Sequence, residues 1–149
     1  LSNDIEIQVV STAPNTSPND SSIAVLANIS GITLFAAGDL ELAGQARALA
    51  MLKRSSYPHL WNRAPIDVMK GIHHGSALQL PELIEYLKPR VSLFSVGAEN
   101  PYGHPSTSAL DLYGRFGRVY RTDQDQSIVL AKRSGSLIVI KAPVTPWAL

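Results

Sequence analysis

Short β-branched segments alternate with longer Ala- and Leu-rich segments along most of this chain, and this order restricts its possible folds more than any other feature. Alternating apolar and polar residues predict a first strand over 5–10, and the turn residues 28–31 predict a hairpin between strands 22–29 and 32–37. Helices and single strands then alternate before a second hairpin. The predicted helices are 40–53, 81–87 and 107–116, the predicted strands are 66–72, 91–96 and 119–121, and the last hairpin joins 127–131 to 136–141. This order favours a layered α/β fold in which a sheet packs against helices.

The bulk composition is that of a globular chain and excludes several classes of protein. The 149 residues, 45% of them hydrophobic, are enough for one domain with a sizeable core. With 13 basic and 12 acidic residues the net charge is +1, so a nucleic-acid role has to rest on a local site. Cysteine is absent, which excludes disulfides and thiolate metal sites. No apolar run approaches the roughly 20 residues of a membrane helix, and no signal peptide is visible. Since the chain begins without Met, we expect it to be a piece of a longer protein.

Polar side chains with metal-binding or catalytic chemistry follow three of the predicted strands. Asp39 comes after the first hairpin, His73 and His74 follow the next strand, and His104 lies in the loop after the strand beyond. If these strands run parallel, the three loops open at the same edge of the sheet. An Asp with two or three His residues is a plausible ligand set for a divalent metal such as zinc or manganese. A carboxylate that bridges two such ions suits phosphodiester cleavage.

Each of these residues also has a structural interpretation, and for His73 and His74 it is a surface loop with two polar residues. Asp39 precedes a helix and is of the residue type that caps helix N-termini. His104 precedes a proline and is suited to shaping a turn. Ser76 and Ser106 stand where they could cap the helices that follow them, and His59, which has no supporting neighbour, is interpreted as structural.

Five motifs in a fixed order carry a more specific signal than any single residue. The motifs are NDSSIAVL at 19–26, AGDLE at 37–41, GIHHGS at 71–76, SVGAENPYGHP at 95–105 and YRTD at 120–123. Together they resemble the C-terminal half of the metallo-β-lactamase-like domain of the ComEC/Rec2 family of competence proteins, which take up DNA. The resemblance covers about residues 5–140.

This resemblance implies an αββα sandwich, of which residues 1–141 form the C-terminal part and 142–149 a tail. It implies one or two divalent metal ions, Zn or Mn, and a hydrolase that acts as a nuclease on one DNA strand. In the family pattern Asp39 matches the bridging carboxylate, and His73 or His74 matches a metal ligand, with the other near the scissile phosphate. His104 matches a further ligand or substrate contact. All four are thereby candidate metal ligands and candidate catalytic residues.

The resemblance also implies partners and a location. The partners are DNA, the N-terminal half of the domain and a parent membrane channel protein. The domain would lie on the extracytoplasmic side of the membrane, and this segment itself would be soluble.

The chain departs from the family pattern in one major and two minor ways. The principal metal motif, His-x-His-x-Asp-His, is absent, because it belongs to the first half of the domain. We therefore expect an incomplete metal site and a chain that is inactive alone. Gln79 and Gln126 stand where the family often has Ser and Gly, and both differences are interpreted as peripheral.

Two alternative functions fit the same sequence. In the first, the chain is a non-catalytic α/β module that packs against or binds a partner segment. In the second, it belongs to a hydrolase of the same superfamily that acts on another phosphoester or an ester, because fold and metal set do not determine the substrate. A half sandwich of either kind would expose a sheet face and would tend to associate.

Overall fold

A six-stranded mixed sheet is the centre of the fold in the computed structural model, which describes residues 5–12, 17–54, 60–62 and 65–142. The strands lie in sequence order across the sheet. The first three pair antiparallel, and the third to the sixth pair parallel. The strands are β1 (Ile5–Ser11), β2 (Ala24–Ile29), β3 (Ile32–Ala36), β4 (Val68–Lys70), β5 (Val91–Phe94) and β6 (Arg118–Arg121).

Helices connect the parallel strands and cover one face of the sheet. α1 (Leu42–Arg54), α2 (Pro81–Leu87) and α3 (Thr107–Gly114) lie in the three successive crossovers. When successive crossovers between neighbouring parallel strands have the same handedness, their helices lie on the same face of the sheet. That face carries the fully buried side chains of the core. Leu26, Phe35, Met69 and Phe94 come from the sheet, and Leu52, Ile84, Leu87 and Tyr113 come from the helices.

The second face of the sheet is covered only in part. A short helix, α4 (Thr122–Asp125), leads into a hairpin of β7 (Ser127–Arg133) and β8 (Ser136–Ala142), which lies over the parallel strands. The Lys132 ammonium donates to the Gly31 carbonyl at 2.5 Å, and the Lys141 ammonium lies 5.5 Å from the centre of the Tyr120 ring. At the other end of this face the β1 side chains Ile5, Ile7 and Val9 are 66%, 62% and 49% exposed.

The structure confirms the predicted mixed α/β architecture and most of its elements. The Ser30–Gly31 turn has positive φ at both residues, which is the conformation of a two-residue hairpin. β4 is shorter than the predicted strand 66–72, because the chain turns sharply at Ile72. α4 was not predicted, since a single turn has too little periodicity to detect.

The caps of the helices differ from two of the structural interpretations. The carboxylate that caps α1 belongs to Asp20, whose Oδ1 accepts from the backbone N–H groups of Glu41 and Gly44, both at 3.0 Å. Asp39 is therefore not the cap. Ser76 does not cap α2 either, because residues 77–80 intervene and Leu80 occupies the cap position. Ser106 caps α3 as predicted and accepts from Ala109 N–H.

Two predicted features lie outside the described residues. They are the structural role of His59 and the tail beyond residue 142. Within the described part of the chain, no helix combines the length and the apolar character needed to cross a membrane.

Candidate functional site

The four predicted site residues come together at the carboxyl edge of the parallel strands. Asp39 follows β3, His73 and His74 follow β4, and His104 lies in the loop between β5 and α3. The parallel pairing of β3, β4 and β5 brings these three loops to one edge, as the sequence predicted. Backbone bonds join two of the loops, since His73 N–H donates to the Gly38 carbonyl at 2.9 Å.

A tight turn after β4 determines the directions in which the two histidine side chains point. Within residues 72–75, His73 (φ 47°, ψ 47°) and His74 (φ 53°, ψ 16°) both have left-handed backbone conformations. This conformation costs roughly 1–2 kcal/mol for a residue with a Cβ atom. Gly75 continues the turn at φ 85°, where a Cβ atom would come within 2.5 Å of the Pro105 side chain. Strained backbone of this kind is concentrated at functional sites.

Asp39 and His74 form the closest pair of the site. The His74 Nε2 and Asp39 Oδ1 atoms are 3.5 Å apart, and both side chains are about two-fifths exposed. On its other side His74 Nδ1 lies 2.6 Å from the Ser95 carbonyl, which can only accept a hydrogen bond. Nδ1 therefore carries a proton and donates to this carbonyl, and Nε2 faces the Asp39 carboxylate. Metal-ligating histidines are usually oriented by such a bond to a carbonyl.

His73 and His104 lie against each other beside this pair. Their ring centres are 5.7 Å apart in an edge-to-face arrangement, and His73 Nδ1 is buried without a hydrogen-bond partner among the described residues. Partial burial lowers the pKa of His104, the nearby His73 and His74 rings lower it further, and Asp39 opposes them. The lowered pKa favours the neutral form of His104, which can donate a hydrogen bond from one ring nitrogen.

Lys70 is a fifth polar residue near the site, and it was not among the predicted site residues. Burial lowers the pKa of its amine, and the charge of Asp39 partly offsets this effect. Its side chain lies on the half-covered face of the sheet, opposite Leu93 of β5. The signal in the sequence was a lysine that interrupts the apolar strand just before the two histidines.

A buried glutamine supports the histidine turn from behind. Gln79 donates from Nε2 to the carbonyls of Ile72 and Ser76 and accepts from the Tyr113 hydroxyl at 2.9 Å. Tyr113 in turn accepts from Ile72 N–H, and burial raises the pKa of its hydroxyl. The interpretation of Gln79 as peripheral was wrong, because its amide satisfies three groups that burial removes from water.

The fit of a metal to these residues is partial. The Asp39 carboxylate and the His74 imidazole are groups that bind divalent metals, and they face each other. Among residues 5–12, 17–54, 60–62 and 65–142, however, no three Asp, Glu, His or Cys side chains converge closely enough to hold an ion. A stable metal site needs three or four protein ligands. The described residues by themselves therefore do not form a complete ligand set.

Comparison with known proteins adds one relative. The chain is similar to ComE operon protein 3 of Bacillus subtilis (strain 168). The two are 33% identical over 129 residues, which is 84% of this chain and 16% of the relative. The chain thus spans about one sixth of the length of that protein. No protein-family model matches the chain.

Proposed function

We propose that this chain is the C-terminal part of a metallo-β-lactamase-like domain in a competence protein that takes up DNA. In this proposal the completed αββα domain is a metal-dependent nuclease on the extracytoplasmic side of the membrane. The observation that carries the proposal is the position of Asp39, His73, His74 and His104 in three loops at one sheet edge, with His74 facing Asp39 and His73 against His104. The five sequence motifs and the similarity to ComE operon protein 3 support it independently.

The half-covered face of the sheet also supports the proposal. Ile5, Ile7 and Val9 would lie in contact with a second sheet if the N-terminal half of an αββα sandwich packed here. Exposed apolar patches of this kind mark surfaces that another chain segment or protein covers. If the chain is half of a sandwich, the other half would supply the missing metal ligands and would cover the exposed side chains of β1.

Four of the five site residues have a proposed role. Asp39 and His74 would supply two metal ligands, and the remaining ligands would come from the preceding half of the domain. A divalent ion at such a site supplies activated water and stabilises charge on the phosphate. His104 would donate a hydrogen bond to a phosphate oxygen, and the Lys70 amine would add positive charge beneath it.

The proposal predicts a sharp difference between the chain alone and a longer form. The chain alone should bind divalent metal weakly and should not cleave single-stranded DNA, since it holds too few ligands. A form that includes the residues before Leu1 should bind stoichiometric Zn or Mn and cleave DNA. Asp39→Ala and His74→Ala should each reduce that cleavage at least 100-fold, whereas Asp111→Ala, on the exposed side of α3, should not change it.

Elemental analysis and cleavage of a labelled oligonucleotide measure both quantities. Robust metal-dependent cleavage by these 149 residues alone would contradict the predicted incompleteness. If the longer form binds metal but cleaves another phosphoester or an ester, the superfamily-hydrolase alternative is correct. If it neither binds metal nor cleaves, the chain is a non-catalytic packing or binding module.

A further inference from the structure

We propose that Tyr102 is a stacking platform for one base of single-stranded nucleic acid, placed so that the neighbouring phosphate reaches the Asp39–His74 pair. This inference rests on the proposed function, because it specifies how DNA would enter that site. Tyr102 belongs to the motif at 95–105 and lies two positions before His104.

Tyr102 is unusually exposed for an aromatic residue. Its exposed fraction is 80%, the highest among the large hydrophobic side chains described. One face of the ring lies toward His104, with ring centres 6.0 Å apart and planes 25° from parallel. At this exposure the Tyr102 side chain gains little free energy from burial, and its ring presents a flat apolar surface to solvent. Ring faces of this kind are what nucleic-acid bases stack on in single-strand binding proteins.

The loop that carries Tyr102 is held in place by its own hydrogen bonds. The Asn100 side chain accepts from His104 N–H at 3.0 Å and donates to the His104 carbonyl at 2.7 Å. At the start of the loop Val96 N–H donates to the Thr122 hydroxyl at 2.8 Å, and that hydroxyl donates to the Val96 carbonyl. These hydrogen bonds hold the backbone on both sides of Tyr102, so the position of the ring is defined.

An open cleft next to the ring leads to the candidate site. It has a volume of about 360 Å³ and lies between Tyr102, His104 and His74, with Ser95, Gly97 and Asn100 in its lining. His74 forms one wall of the cleft and also faces the Asp39 carboxylate. A base in the cleft would therefore place its own phosphate next to that pair.

The chemistry favours an unpaired base over other ligands. The lining has side-chain amide, imidazole and backbone groups but no charged residue, so it offers shape and stacking more than charge. Bases in a duplex are stacked on their neighbours and do not expose a face. A stacking platform at the site therefore favours single strands, and it tolerates any base, because every base has a π-face.

The test separates stacking from phosphate binding. Fluorescence anisotropy at low salt would compare a fluorescein-labelled ten-residue oligothymidine with an abasic oligonucleotide of the same length and charge. We expect the chain to bind the base-bearing strand about 5- to 100-fold more tightly, the range for stacking of one base. Tyr102→Ala should abolish this preference without changing binding of the abasic strand. Tyr102→Phe, which keeps the ring, should retain it.

Three results would overturn the inference. They are equal binding of the two strands by the wild-type chain, no measurable binding of either, or an unchanged preference in Tyr102→Ala. Because the residue is exposed, circular dichroism should show that all variants fold. A longer form that cleaves DNA while the chain shows no preference for bases would refute this inference alone. Base-dependent binding in the absence of any cleavage would instead refute the proposed nuclease function alone.

Discussion

At the scale of single residues, the two adjacent histidines are the most unusual feature of the chain. Both occupy the left-handed region of backbone conformation, which residues other than Gly, Asn and Asp seldom visit. Neighbouring groups maintain this turn, chiefly Gln79 through the carbonyls of Ile72 and Ser76. The result is that His74 points toward Asp39 and His73 toward His104.

Gly75→Ala tests how tightly this turn is packed. The new Cβ atom would meet the Pro105 and Phe94 side chains at 2.5 and 2.7 Å, and φ is +85°. We expect a loss of about 2–4 kcal/mol in the free energy of unfolding, combining overpacking with left-handed strain. Urea denaturation followed by circular dichroism would measure it.

Gly114→Ala is the matched control, because nothing lies within 4 Å of its Cβ position and it sits in α3. Equal stability of the two variants would contradict the described packing.

At the scale of elements, α4 joins the β7–β8 hairpin to the sheet. Asp125 of α4 accepts from the Lys141 ammonium at 2.6 Å through Oδ1 and from Arg121 N–H at 2.8 Å through Oδ2. Thr122 at the other end of α4 bonds both backbone groups of Val96. A single turn of helix therefore connects the hairpin with the loop that carries Tyr102.

The ion pair of Asp125 makes the stability of the chain depend on pH. The hydrogen bond from Lys141, followed by the one from Arg121 N–H, lowers the pKa of Asp125 below its ordinary 3.8. The folded state thus binds fewer protons, so this contribution is complete above pH 3.8 and disappears as pH falls through the lowered pKa. Asp125→Asn should lower the urea midpoint at pH 7 and weaken its decline on acidification.

Asp111→Asn in α3 is the control for this effect, because its side chain is exposed. It should leave the urea midpoint at pH 7 nearly unchanged. An Asp125→Asn variant with the same acid dependence as the wild type would show that this ion pair does not contribute to stability.

At the scale of the whole molecule, the two faces of the sheet differ. Three helices bury one face of the sheet at its central strands, while the other face is covered by the hairpin at the parallel strands and is open at β1. Cross-strand pairing aligns Ile7 with Ala27 and then Leu34, so the apolar row continues inward from the exposed edge to the buried Ala27. An apolar face at a sheet edge favours association with another chain.

Ile7→Lys tests whether this face drives self-association. We expect the wild-type chain to form dimers or larger species as concentration rises, and Ile7→Lys to shift the equilibrium toward monomer at least tenfold. Sedimentation velocity over a range of concentrations would measure the distribution. Gln8→Lys adds the same charge on the opposite face of β1 and should have little effect. A wild-type chain that stays monomeric throughout would contradict the expectation.

The sequence was sufficient for most of the elements, for their order and for the edge of the sheet at which the four predicted residues lie. Periodicity and turn residues act within a few positions, so the Ser30–Gly31 hairpin and the helix from Pro81 to Leu87 were predicted closely. The edge location of Asp39 and the histidines also followed, because parallel strands order their loops.

Only the tertiary structure decided which partners these residues have. It assigned the cap of α1 to Asp20 and not to Asp39, turned His74 toward Asp39, and revealed Gln79 as a buried support and Lys70 as a nearby charge. These contacts join residues far apart in the chain. They depend on strand register and side-chain orientation, which the packing of the whole domain determines and no local pattern encodes.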